Sequence, residues 1–152
     1  MKIEYRSATK ELLEDFIQDI RKEDQEECEL SSQEDWTEYQ KRFFQPDRMK
    51  NTTVLYINGK VLGVFGIENQ EGCNVGWLLL TNQVDTYKIA FLRQTRKYIE
   101  EVILPQHGYF CNYVYEKNAL HLYWLEWLGA TFRKTPVKDF IYFHLGKEES
   151  NV

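Results

Sequence analysis

The run Gln83-Val84-Asp85-Thr86-Tyr87-Lys88 joins an apolar stretch to a helical pattern. Amides at a helix N-terminus are unpaired and the helix dipole favours a negative charge, so this turn is a candidate anion site. Asp85 or Thr86 also suits the cap of the helix that follows. Thiols and imidazoles give less. Cys28, Cys73 and Cys111 are odd in number and lack CxxC spacing, which argues against disulfide or metal roles. His107 and His121 have no partner at His-x-x-x-His or Cys spacing, so no metal is expected. Tyr123, Trp124 and Trp127 resemble a stacking platform, although aromatics at helical spacing usually serve a core.

The elements that must position these residues follow from periodicity and turn chemistry. Lys2–Arg6 alternates and predicts a short strand. Thr9 caps a helix whose Leu12, Leu13, Phe16, Ile17 and Ile20 form one apolar stripe. Ser31-Ser32-Gln33-Glu34 fits a capping box opening a second helix, with Trp36, Tyr39 and Phe43 on its inner face and Pro46 at its end. Thr52–Ile57 and Val61–Ile67 are β-rich and meet at Asn58-Gly59, a hairpin signal because both residues tolerate positive φ. Glu71-Gly72 is a second turn, and Cys73–Thr81 reads as a strand covered on both faces. Tyr87–Leu104 predicts a long helix closed by Pro105. A strand at Tyr109–Tyr115 follows, then a helix at Asn118–Leu128 stopped by Gly129, and strands at Ala130–Lys134 and Phe140–Leu145.

This order, β-α-α-β-β-β-α-β-α-β-β, predicts an α/β (α+β) fold: a mixed, largely antiparallel sheet of about six to seven strands with helices on both faces. The 152 residues suit one domain over 1–146, with a polar tail at 147–152 expected to fray. No apolar run approaches the roughly 18 residues of a membrane span. The N-terminus is charged where a secretion signal needs apolar residues, so a cytosolic product is expected. The net charge of −5 is uneven. Residues 10–38 hold twelve acids against three bases, while the rest of the chain carries a slight excess of bases. That balance disfavours nucleic acid, whose binding comes from neutralising phosphates, and leaves the acidic segment as a solvated helix face or a dock for a basic partner.

The element order is that of the GNAT acetyltransferase fold, and two stretches sharpen the likeness: GWLLLTNQVDTYKIAFLRQTRKYIEEV and FCNYVYEKNALHLYWLEWLGATF. Together they resemble a narrower group of small phage-encoded proteins with this fold, which includes a minor internal virion protein of short-tailed coliphages. The shared features are Trp77, Thr81, Gln83 and Val84 in the strand and turn, Asn112, Tyr113 and Val114 in the late strand, and the helix end Trp124–Ala130. The N-terminal fifty residues carry little of it.

The resemblance implies acetyl-CoA as the cofactor of an active member, held through Leu79, Thr81, Gln83, Thr86, Lys88 and Asn118. The family motif is Q/R-x-x-G-x-G/A, whose glycines let the backbone approach the pyrophosphate. Gln83 matches its first position, but the glycine positions fall on Thr86 and Lys88, and Asp85 adds a negative charge. The family acid is commonly a Tyr four residues before the glycine that ends the last helix. Here that position is Leu125, leaving Tyr123 as the substitute, and Glu68 is the remaining candidate base. Three readings stay open. The first is a catalytically degenerate phage protein without cofactor, working in the virion, in assembly or on a host partner. The second is an N-acetyltransferase acting on a host or phage amine. The third is an acidic inhibitor that docks through residues 10–38. Each places the chain in the host bacterial cytoplasm or the virion, and a protein partner is expected.

Overall fold

A computed structural model describes residues 1–147; most of the expected polar tail, 148–152, lies outside the described residues. The strands are β1 (Glu4–Ser7), β2 (Thr53–Ile57), β3 (Lys60–Gln70), β4 (Cys73–Leu80), β5 (Tyr109–Tyr115), β6 (Thr131–Lys134) and β7 (Phe140–Gly146). They form one seven-stranded sheet in the order β1-β2-β3-β4-β5-β7-β6. It is mostly antiparallel; β4 and β5 pair in parallel at Val75 and Cys111. The helices are α1 (Lys10–Asp19), α2 (Lys22–Ser32), α3 (Trp36–Tyr39), α4 (Pro46–Lys50), α5 (Lys88–Tyr98), α6 (Leu104–His107) and α7 (Ala119–Leu128). The predicted fold class is therefore the observed one.

The chain divides into two compact units. The first comprises Met1–Gly66 with Trp77–Phe91, the second Ile67–Gly76 with the chain from Leu92 onward.

In the first unit Thr9 caps α1 as expected, its hydroxyl accepting the Leu12 amide at 3.2 Å. Leu13, Phe16 and Ile20 turn inward and pack with Cys28, Phe43, Val54, Val61, Val64 and Leu79. Asn58 and Gly59 turn the β2–β3 hairpin at φ 50° and 76°. That geometry matches the twist of paired strands, and Asn and Gly tolerate it. The capping box expected at Ser31–Glu34 is not formed. Those serines end α2, both hydroxyls donating to the Cys28 carbonyl, and Gln33 is left-handed at φ 58°. Asp35 caps α3 instead, accepting the Glu38 amide at 2.9 Å. The helix expected to run to Pro46 becomes α3 followed by a 3₁₀ segment, Gln40–Phe44. Pro46 then opens α4, where its missing N–H costs nothing.

In the second unit Glu71 and Gly72 make the second tight turn. The predicted long helix ends its regular part at Tyr98 and passes through a π-turn, Ile99–Ile103, in which the Leu104 amide reaches back to the Ile99 carbonyl. Pro105 does not close it: it sits in the first turn of α6, and the helix stops one turn later at Gly108. α7 ends at Gly129, left-handed at φ 92° as expected. Its Trp124 is buried, and the indole N–H donates to Thr95 at 2.9 Å.

Candidate functional site

The turn after β4 lies in the first unit. Thr81 is fully buried there. Its hydroxyl donates to the Val61 carbonyl at 2.7 Å and accepts the Gln83 amide at 3.3 Å. A single 3₁₀ turn, Asn82–Asp85, follows. The Val84 amide donates to the Thr81 carbonyl at 3.2 Å, and the Thr86 and Tyr87 amides both donate to the Gln83 carbonyl at 3.1 Å. The amides of Gln83, Val84, Thr86 and Tyr87 are thus spent inside the turn. The hydroxyl that caps it is Thr81's, one turn before the expected Asp85 or Thr86. The Gln83 side chain is engaged too, donating to the Asp19 carboxylate at 3.0 Å. Asn82 holds the same carboxylate at 3.1 Å. Asp85, Thr86 and Lys88 are exposed, while Leu79 belongs to the core.

One residue earlier the strand end is closed by the chain itself. The Thr81 amide pairs with Leu62 of β3 at 2.9 Å. Strand backbone groups alternate in direction, so the N–H and C=O of Leu80 point away from β3. The Leu80 amide donates to Asp24 Oδ2 at 2.5 Å, and its carbonyl accepts the Arg21 amide at 3.0 Å. Asp24 is fully buried, and its other oxygen takes the Arg21 guanidinium at 2.7 Å. Ile20 bridges Thr81. The break between α1 and α2 therefore lies along the end of β4 like an added strand. Sequence reasoning counted Asp24 among surface acids. A signal was present within α2: Asp24 and the apolar Cys28 are four residues apart, which places Asp24 on the same face as Cys28.

The other candidates lie in the second unit. Glu68 is half-buried on β3 and accepts the Gln70 amide group at 3.4 Å. Tyr123 is 55% exposed on α7, whereas Leu125, at the position of the family acid, is buried. Asn118 is fully buried at the head of α7, but its side chain makes no cap bond; its backbone carbonyl accepts the Leu122 amide at 3.1 Å. Trp127 is partly exposed, donating to the Leu92 carbonyl at 3.2 Å beneath Arg96. The expected platform is thus split: Trp124 is core, while Tyr123 and Trp127 face solvent. Asn112 has a structural task. Its amide donates to the Gly76 carbonyl at 3.0 Å, beside a backbone where any Cβ would stand 2.5 Å from Phe110.

No group of three or more His, Cys, Asp or Glu able to hold a metal occurs among the described residues. Cys28 and Cys111 are buried and Cys73 is exposed. Burial, then the nearby Glu27 charge, pushes the Cys28 thiol well above its ordinary range, so it stays protonated at neutral pH. The neighbouring Tyr39 phenol is pushed up by burial as well. A thiol-reactive chromophore should therefore modify Cys73 quickly and Cys28 and Cys111 only on unfolding. Fast modification of a second thiol in the native protein would contradict the packing around α2, if it is Cys28, or around β5, if it is Cys111. A shallow hollow lined by Glu34, Glu38, Lys41, Arg42, Gln45 and Arg48 is crossed by the Arg42–Glu34 and Lys41–Glu38 pairs, whose charges neutralise each other.

The strand order and helices define the GNAT, or acetyltransferase-like, fold. Solved structures agree on the fold. AAC(6')-Ib in complex with ribostamycin and coenzyme A matches with a TM-score of 0.70 at 14% identity, over 100% of this chain and 99% of that one. A PaiA N-acetyltransferase from Thermoplasma acidophilum in complex with coenzyme A matches at 0.63 and 16%, over 96% and 99%. A GNAT-family acetyltransferase from Bacillus anthracis matches at 0.63 and 10%, over 98% and 97%. No curated protein sequence matches significantly. Residues 51–135 match the family described as bacteriophage T7, probable scaffold protein Gp13, and the chain belongs to that family.

Proposed function

We propose that this chain is a phage-encoded GNAT-fold protein that does not transfer acetyl groups and works as a minor virion, assembly or host-interaction component. The observation that carries this reading is the closed turn. A pyrophosphate needs free amides and a backbone it can approach. Here the amides of Gln83, Val84, Thr86 and Tyr87 are bonded within the turn, and Thr86 and Lys88 carry side chains where the family has glycines. The exposed Asp85 would repel the phosphates. Acetyl-CoA therefore does not fit these residues. The apolar, buried Leu125 at the acid position and the absence of a carboxylate on Cys73–Leu80 support the same reading. Membership of a family described as scaffold-like supports work on protein partners, in the host cytoplasm or the virion. No helix among the described residues is long and apolar enough to cross a membrane.

Calorimetric titration with acetyl-CoA, with thermal unfolding beside it, tests this. The expected result is no heat of binding and no rise in Tm at about millimolar cofactor. Were the site functional, cofactor at about 100 times its Kd would stabilise the fold by roughly 2.7 kcal/mol, a rise easily seen. Such a rise would restore the N-acetyltransferase reading, with Glu68 and Tyr123 as its first candidates. Mass spectrometry of purified particles separates the remaining roles: a virion component is present in them, a host-directed one is not. The inhibitor reading through residues 10–38 needs narrowing, because Asp24 is buried and unavailable to a partner.

A further inference from the structure

One face of β5, β7 and β6 in the second unit is lined by aromatic rings that remain accessible. Tyr113, Tyr142 and Arg133 share one register row. The two tyrosine rings meet edge-on at 5.8 Å, and the Arg133 guanidinium lies 4.6 Å from the Tyr142 ring centre. In the neighbouring rows Tyr109 stacks on His144 at 5.1 Å, and Thr131 stands opposite His144. Tyr113 is 49% exposed, Arg133 and Thr131 are exposed, and Tyr109, Tyr142 and His144 are half-buried. The opposite face of the same strands supplies core residues, Phe110, Val114, Phe143 and Leu145, while on the tyrosine face Cys111, Tyr115 and Phe140 are buried and the accessible patch is centred on Tyr113, Tyr142 and Arg133. An antiparallel sheet with one solvated face ordinarily shows polar residues there. Accessible tyrosines around an arginine are instead the composition of an interface core.

Charge names the occupant. Arg133 stands on this face, and residues 131–147 as a whole carry four bases, Arg133, Lys134, Lys138 and Lys147, against the single acid Asp139, with Lys134 on the opposite face by strand alternation. None of the four bases forms an ion pair among the described residues. Residues 10–38 carry twelve acids against three bases, and Glu11, Asp15, Glu26 and Glu29 likewise lack an ion pair among the described residues. We propose that the tyrosine–arginine face of β5-β7-β6 binds the acidic α1–α2 surface of a second copy of this chain, joining copies head to tail. Such a contact uses two different surfaces, so it leaves a live surface at each end and builds rings or open chains. Single-stranded nucleic acid, which also stacks on tyrosines, is the disfavoured occupant because a chain of net charge −5 repels a polyanion. The proposal is independent of whether acetyl groups are transferred, and its failure would leave that reading untouched.

Sedimentation velocity tests it with two variants, Arg133→Glu and the pair Glu26→Lys with Glu29→Lys, each first shown by circular dichroism to be folded. Wild type should associate with rising concentration at about 0.05 M salt and dissociate at about 0.5 M, where the screening length is only a few ångströms. Each variant alone has one dead surface and should self-associate at least about tenfold more weakly. Mixed, the two variants should form a complex that neither forms alone, because each keeps the surface the other lost. If a charge-reversed variant does not fold, Arg133→Gln and Glu26→Gln with Glu29→Gln should show the same pattern more weakly. The proposal is overturned by a wild type that is monomeric at low salt, by association that survives high salt, or by a mixture that yields no complex. It is equally overturned if the protein stays monomeric while a labelled thymidine oligonucleotide binds wild type and not Arg133→Glu.

Discussion

Asp24→Ala should cost about 3–5 kcal/mol of folding stability, because it removes one partner of a buried ion pair and orphans a buried amide. The carboxylate is fully buried and the Arg21 side chain is only 12% exposed. With Asp24 gone, the Arg21 guanidinium keeps Glu23 at 3.4 Å, but the Leu80 N–H, bound by Asp24 at 2.5 Å, has lost its acceptor. Asp24→Asn keeps the shape and one acceptor oxygen. It turns an amide N–H₂ toward one of two donors, so about 1.5–3 kcal/mol should be lost with the charged bond. Glu26→Ala, two residues further along α2 and outside this cluster, should change stability by less than about 0.5 kcal/mol. Urea midpoints at unchanged slope would measure all three. Hydrogen exchange adds a local readout: the Leu80 amide should exchange faster in Asp24→Ala than global destabilisation alone predicts. Equal costs for Asp24→Ala and Glu26→Ala would mean that the carboxylate does not hold β4. Acetyl-CoA should still fail to bind Asp24→Ala, since the amides of the turn remain bonded to one another.

What could be read in the sequence is what adjacent residues decide. Asn58-Gly59, Glu71-Gly72 and Gly129 announce their turns because φ preferences are local. The α1 stripe and the Thr9 cap are legible for the same reason. The candidate turn was legible as a departure: missing glycines can be seen in a string of letters. What could not be seen is where its amides go, because the Thr81 hydroxyl that caps the turn is held by the Val61 carbonyl only once β3 lies beside it. The α1–α2 break carries no Pro or Gly. It exists because Ile20 and Arg21 pair with the end of β4, some sixty residues later. Ser31–Glu34 has the letters of a capping box, yet the helix before it uses those serines to finish its own carbonyls. A proline removes a helical donor, so in the sequence Pro105 reads as a stop. The π-turn before it absorbs that loss and lets the chain turn once more.

Phe43→Ala should be the other large loss, again about 3–5 kcal/mol. Phe43 is fully buried although it sits in a 3₁₀ segment, where such a side chain has little local support. Its ring instead holds four others: Phe16 at 5.5 Å, Tyr39 at 5.8 Å, and Trp36 and Trp77 at 6.2 Å. Arg48 lies over both Phe43 and Trp77, at 5.5 and 4.2 Å. Deleting the ring leaves a cavity among rigid neighbours that cannot collapse into it, so the cost includes the void as well as the lost transfer energy. Phe43→Leu refills most of the volume and should lose under about 1.5 kcal/mol, plus the edge-on aromatic contacts. Phe44→Ala removes a ring of the same type that is only partly buried, and should cost less than Phe43→Ala. Thermal unfolding ranks the three. Near-ultraviolet dichroism should change most in Phe43→Ala, since Trp36 and Trp77 lose the ring that orients them. If Phe44→Ala proved as costly as Phe43→Ala, the α3–α4 segment would owe its place to surface contacts, and Phe43 would not be the residue that pins it to the core.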